Sequence, residues 1–152
     1  MLPSAGARNE DGQALVELAL TLPILFILIL GVAEFGRLAY GAIEVNNAAR
    51  AGVAYGAQTL VTAIDTAGIV AAAKNDSPDI VTISVPTTTQ SCTCSDGTVV
   101  SCTTAAASCL SPAHILVFLQ VNTTYTMDPS FHVPGLPTTY VLKGQAIMQV
   151  AQ

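Results

Sequence analysis

The chain has 152 residues, 51% hydrophobic and 10% charged, with ten acidic residues against five basic and a formal charge of −5. That length holds one domain plus a membrane segment. Beyond Arg50 the basic residues are Lys74 and Lys143 alone, so no basic patch can neutralise phosphates and nucleic acid is excluded as a partner.

Residues 1–12 are polar, rich in Pro, Ser, Gly and Asn through position 11, and read as a disordered leader. From Ala14 to Val32 the only charge is Glu17, and about 20 apolar residues are what a helix needs to cross a bilayer. The span is taken as 13–33. A carboxylate inside such a helix costs roughly 2.5–3.5 kcal/mol near its centre, so its presence asks for a function. Cutting the chain between Gly12 and Gln13 would put a new amine about one helical turn from Glu17. Each charge would lower the cost of burying the other, on one chain or between neighbours. Three readings of this run stand open: a cleaved secretory signal ending at Gly31-Val32-Ala33, an uncleaved anchor, or a short leader trimmed at Gly12 with the helix kept. Arg8 is opposed by Glu10 and Asp11, which denies the first reading its positive n-region. Pro23 removes one backbone bond inside the helix and is expected to bend it.

Nothing stops the helix at Val32. Leu38, Ala42, Val45, Ala49, Gly52/Val53 and Gly56 recur at steps of three and four, which predicts an amphipathic stalk over 34–58. Ala48, Gly52 and Gly56 form a smooth strip that suits either close packing on the protein's own sheet or a helix–helix contact in an oligomer. A short helix is expected over 66–74, capped by Asp65 and stopped by Asn75-Asp76-Ser77-Pro78. Residues 59–152 then form an α+β domain whose β-rich part begins after Pro78. Strands are expected at 80–85, ending at Pro86, at 114–127, and at 138–150, with a Pro-rich loop over 128–137. In the last strand Tyr140, Leu142, Gly144, Ala146, Met148 and Val150 share one face. The expected fold is α+β and pilin-like: a long N-terminal transmembrane and stalk helix, a short helix and a small antiparallel sheet.

Cys92, Cys94, Cys102 and Cys109 lie in a loop-rich patch at 91–110 and predict two disulfides, and so an oxidising compartment. Pairing Cys92 with Cys94 is too strained, which leaves a nested and a crossed arrangement. The antiparallel path of a hairpin favours nesting Cys94–Cys102 within Cys92–Cys109. Asp96-Gly97 signals a type I′ turn. A strict two-residue turn there fits neither pairing, so a bulge or wider loop is expected. C-x-C with single distant cysteines is a poor zinc pattern, and no metal site is expected. His114 and His132 have no nucleophile motif beside them, the carboxylates are scattered near turns, and no cofactor motif occurs; an enzyme is not expected. Asn122-Thr123-Thr124 fits a glycosylation sequon but falls mid-strand.

The words of the helix carry a resemblance. Gly12-Gln13-Ala14-Leu15-Val16-Glu17-Leu18-Ala19-Leu20-Thr21-Leu22-Pro23, then Glu34-Phe35-Gly36-Arg37, then Asn47-Ala48-Ala49-Arg50, resemble the TadE-like family of pseudopilins of the tight-adherence pilus, related to type IV pilins and type II secretion. The resemblance implies a single-pass protein of the bacterial inner membrane with its C-terminal domain outside the cytoplasm. It implies cleavage by a prepilin peptidase after Gly12, leaving Glu17 as the fifth mature residue. It also implies a non-enzymatic role as a minor subunit supporting pilus assembly, with other pilin subunits and the inner-membrane platform as partners. A monomeric membrane-anchored periplasmic binding module is the alternative, and Glu17 discriminates, because a simple anchor has no use for it.

Overall fold

The computed structural model describes residues 11–80, 82–103, 108–132, 135 and 137–151. Residues 1–10 of the expected leader, Val81 of the expected 80–85 strand, residues 104–107 of the cysteine patch, and Val133, Pro134 and Leu136 of the Pro-rich loop lie outside the described residues. The fold is α+β: a long helix α1 (Asp11–Gly56), a 3-10 turn at Thr62–Ile64, a short helix α2 (Thr66–Asn75), and strands β1 (Ser84–Cys94), β2 (Val99–Val100), β3 (Ile115–Met127) and β4 (Tyr140–Gln149). The strands form one antiparallel sheet in the order β2-β1-β3-β4. By internal contact the chain forms two units, one through Arg37 and one from Leu38 to Gln152, so residues 38–56 of α1 belong with the sheet.

Among the described residues the helix runs from Asp11, two residues ahead of the expected span, and continues through Pro23. A helix that is apolar all round must be buried by something other than its own polar face. In the first unit Leu15, Leu18, Leu20, Ile24, Phe26, Ile27, Leu28 and Val32 are all exposed, with no protein against them among the described residues. From Leu38 onward the stripe read from the sequence is the buried face: Val45, Ala48, Ala49 and Val53 are fully enclosed.

That face lies on the inner surface of the sheet and on α2. Val53 shares a core with Ile69 of α2 and with Leu119 and Val121 of β3, while Val45 and Ala48 share a second with Ala73, Ile80 and Ile83. The smooth strip is therefore covered within the chain. A Cβ on Gly52 would meet Val121, Ala73 and the Ile69 carbonyl, and one on Gly56 would collide with Leu119 and press on Ile69. Of the two readings of the strip, packing on the protein's own sheet and short helix is the one observed.

Asp65 caps α2 as expected: Oδ1 accepts from the Gly68 N–H at 3.0 Å, and Oδ2 accepts from the Tyr55 hydroxyl at 2.8 Å, which ties the end of α1 to the start of α2. These bonds, the Gly68 one foremost, hold the Asp65 carboxyl below its ordinary range. A depressed carboxyl stabilises the fold above its unfolded pKa and loses that contribution as pH falls through the folded one.

Two strand expectations change. Residues 80, 82 and 83 do not form strand; Ile83 donates its N–H to the Ile80 carbonyl in a turn, and both side chains are buried in the second core. The strand begins at Ser84 and runs past Pro86 rather than ending there. The register shifts between Ser84 and Thr87, so the pairing of β1 with β3 skips the proline, which has no N–H to give. In β4 the inward set is as expected through Ala146, but Met148 is exposed.

The cysteines are crossed, Cys92–Cys102 and Cys94–Cys109, with Cα separations of 5.1 and 5.5 Å, and the nested arrangement is corrected. The register explains it. The hairpin pairs Cys92 with Val100 and Thr93 with Val99, and the Cys94 N–H donates to the Thr98 carbonyl, which leaves a three-residue loop at 95–97. Gly97 takes φ +92°, the left-handed residue that such a loop requires in place of the type I′ turn. Cys102 follows the residue opposite Cys92 by two positions, whereas Cys94 lies two pairs further toward the turn, opposite Thr98. Cys94 instead pairs with Ile115 at the start of β3, the end from which Cys109 arrives.

Three experiments check this architecture. Gly144→Ala, which would drive a methyl into the Val45 carbonyl and Thr123, should destabilise the protein by about 1–3 kcal/mol in thermal unfolding of the detergent-solubilised chain. Non-reducing peptide mapping should join Cys92 to Cys102 and Cys94 to Cys109. Replacing either pair by Ser should cost about 2–3 kcal/mol and leave the β3–β4 ladder protected in hydrogen exchange.

Candidate functional site: the charges and motifs of the long helix

The sequence-predicted residues fall at separate stations along the chain. Gly12 and Gln13 occupy the first turn of α1, and nothing lies within 4 Å of where a Gly12 side chain would begin. Glu17 is exposed, and its Oε1 accepts from Gln13 Nε2 at 3.2 Å, one turn back on the same face. Thr21 Oγ1 donates to the Glu17 carbonyl at 2.9 Å and to the Leu18 carbonyl at 3.3 Å, a local bond that a Thr can make inside a helix without exposing a polar group to lipid. The helix here is long and apolar enough to cross a membrane.

Glu34 and Arg37 pair at 3.1 Å across three residues, while Phe35 between them is 75% exposed and Gly36 has open space around it. Such an exposed ion pair is worth little as stability. The third word divides: Ala48 and Ala49 are fully buried, Asn47 is half-buried, and Arg50 is exposed. Their alanines are small because the sheet and α2 come close, a packing role. The cysteines lie toward the β2 edge of the sheet, on β1 and the segments leading out of β2 and into β3.

Other contacts escaped sequence reasoning. Thr123 Oγ1, fully buried, donates to the Val45 carbonyl at 2.7 Å. The isolated Gly144 inside a strand pattern was the available signal, since such a glycine marks a close backbone approach. Tyr40 donates its hydroxyl to Asp79 Oδ2 at 2.6 Å, and this bond, with Asp79 and Glu44 charges nearby, pushes the Tyr40 hydroxyl up to about 12. A contact 39 residues apart leaves no local pattern. Asn122 sits inside β3 with its amide donating to Thr87 Oγ1 at 2.9 Å.

Among the described residues no three His, Cys, Asp or Glu side chains gather where a metal could bind. His114 and His132 are both exposed. What distinguishes the chain is one helix: apolar on every side at its start, with a single carboxylate in its second turn, and packed by small residues onto a sheet at its end. A family model described as TadE-like protein matches residues 12–54, the part of the chain that carries all three motif words. No curated protein and no solved structure matches the chain. Over residues 12–54 the chain is thus similar to a TadE-like protein.

Proposed function

We propose that this protein is a non-enzymatic minor pilin or pseudopilin that supports assembly of the tight-adherence pilus. The observation that carries the reading is the exposed, all-round apolar surface of α1 together with Glu17 inside it. Lipid covers such a surface before assembly, and the helices of other subunits can cover it afterwards. The anchor crosses the cytoplasmic membrane once, with the disulfide-closed domain outside the cytoplasm, where thiols oxidise. A prepilin peptidase cuts after Gly12, and the amine of Gln13, or that of a neighbouring subunit, neutralises Glu17. The inner-membrane platform and other pilin subunits are the partners.

Burial of the small-residue strip under α2 and β3 sharpens this reading. Close helix–helix contact between subunits falls to the apolar first part of α1, because Ala48, Gly52 and Gly56 are already engaged within the chain. Assembly should therefore depend on Glu17 and on the apolar residues around it.

Intact mass of protein taken from native membranes should match a chain starting at Gln13. A start at Glu34 would mean an ordinary signal peptide and would end the assembly reading. Glu17→Gln removes a charge whose burial alone costs roughly 2.5–3.5 kcal/mol. It should leave membrane association intact or stronger and sharply lower the yield of sheared pili; unchanged pilus yield would refute the pairing role.

A further inference from the structure

A cut after Gly12 exposes a residue with reactive chemistry of its own. The α-amine of an N-terminal glutamine can attack its own side-chain Cδ. A C–N bond forms, the C–N bond to the carboxamide nitrogen breaks, and that nitrogen leaves as ammonia with the displaced proton. The product is a neutral five-membered lactam. It carries no positive charge, so nothing at the terminus could compensate a carboxylate in lipid, and none could be offered to a neighbouring subunit.

The geometry of the first turns bears directly on this reaction. Gln13 Nε2 donates to Glu17 Oε1 at 3.2 Å, so the carboxamide is directed along the helix toward the following turn. Ring closure needs the opposite: Cδ must fold back over the residue's own nitrogen. A hydrogen bond to a carboxylate is stronger than one between neutral groups, and water-poor surroundings strengthen it further. Thr21 Oγ1 is occupied by the Glu17 and Leu18 carbonyls. Glu17 is thus the partner to which the structure commits the Gln13 carboxamide.

We propose that Glu17 is a positioning residue for the mature terminus: it holds the Gln13 carboxamide away from the α-amine and so keeps that amine free of lactam formation. The role rests on the cleavage reading above and extends it. Glu17 preserves the cation that it later neutralises, and an otherwise self-destroying first residue is tolerated.

The test uses the full chain expressed in its own membranes, incubated after extraction and sampled over time by mass spectrometry of the N-terminal peptide. Lactam formation appears as loss of the mass of one ammonia from a peptide beginning at Gln13. Wild type should keep an open terminus, and Glu17→Ala should accumulate the lactam several-fold faster. Glu17→Asp, whose shorter side chain cannot reach Gln13 in the same way, should fall between them and serves if Glu17→Ala is not cut. Equal rates in wild type and variants, or a wild-type terminus already closed, would overturn the proposal while a Gln13 start leaves the cleavage reading standing. A peptide beginning at Met1 would overturn both.

Discussion

The second unit depends on how closely α1 approaches the sheet. The Val45 carbonyl lies against Gly144 of β4, where any side chain would collide, and Thr123 of β3 donates to that carbonyl from directly opposite Gly144 in the register. A helix carbonyl normally finds its partner within the helix, so this second bond spends the side-chain hydroxyl of a fully buried Thr on an acceptor with a lone pair to spare. It satisfies a polar group that would be costly to leave alone in the core. It also fixes which turn of α1 meets which rung of the sheet, since a shift of one residue along the helix would bring a side chain onto Gly144.

From that contact the rest of the packing follows in both directions along α1. Toward its end, Ala49, Gly52, Val53 and Gly56 let α2 and β3 close over the helix, with Ile69 and Leu119 filling the space that missing side chains leave. Toward its middle, Gly41 meets Leu142 and Tyr125, and Tyr40 reaches Asp79. Earlier in the helix the apolar side chains from Leu15 to Val32 named above are exposed. One continuous element therefore does two physically different jobs. Part of it is the core helix of a small α+β domain, and part is a surface that needs lipid or other helices.

The disulfides secure the side of the sheet where regular pairing is thinnest. β2 contributes only two residues, so the outer end of β1 gains little from its ladder. Cys92 and Cys94 are both buried on the inner face, Cys92 directly opposite Val117 and Cys94 opposite Ile115. Crossed bridges draw in two different stretches of chain, one leaving the hairpin and one approaching β3. The Ser95 N–H donating to the His114 carbonyl at 2.8 Å holds the same corner through the backbone. A nested pair would have required Cys94 to bypass its neighbour across the hairpin.

Much of this was legible in the residues. The apolar run with its lone Glu17, the three motif words, the stripe from Leu38 to Gly56, the Asp65 cap and the alternation from Tyr140 to Ala146 are local patterns, and local backbone physics reads them directly. The four clustered cysteines announced two bridges. Where sequence reasoning stopped, the deciding quantity was non-local. Pro86 looks like a strand end until its missing N–H is seen to fall within a register shift. The smooth strip fits two partners until α2 and β3 are seen to cover it. Both cysteine pairings are possible until a single-residue choice of loop length sets Cys92 opposite Val100. The sequence alone determined what each segment is, because periodicity and capping act within a few residues. Only the tertiary structure decided what each segment touches, because register and close approach are set by groups far apart in the chain, 78 residues in the case of Thr123 and Val45.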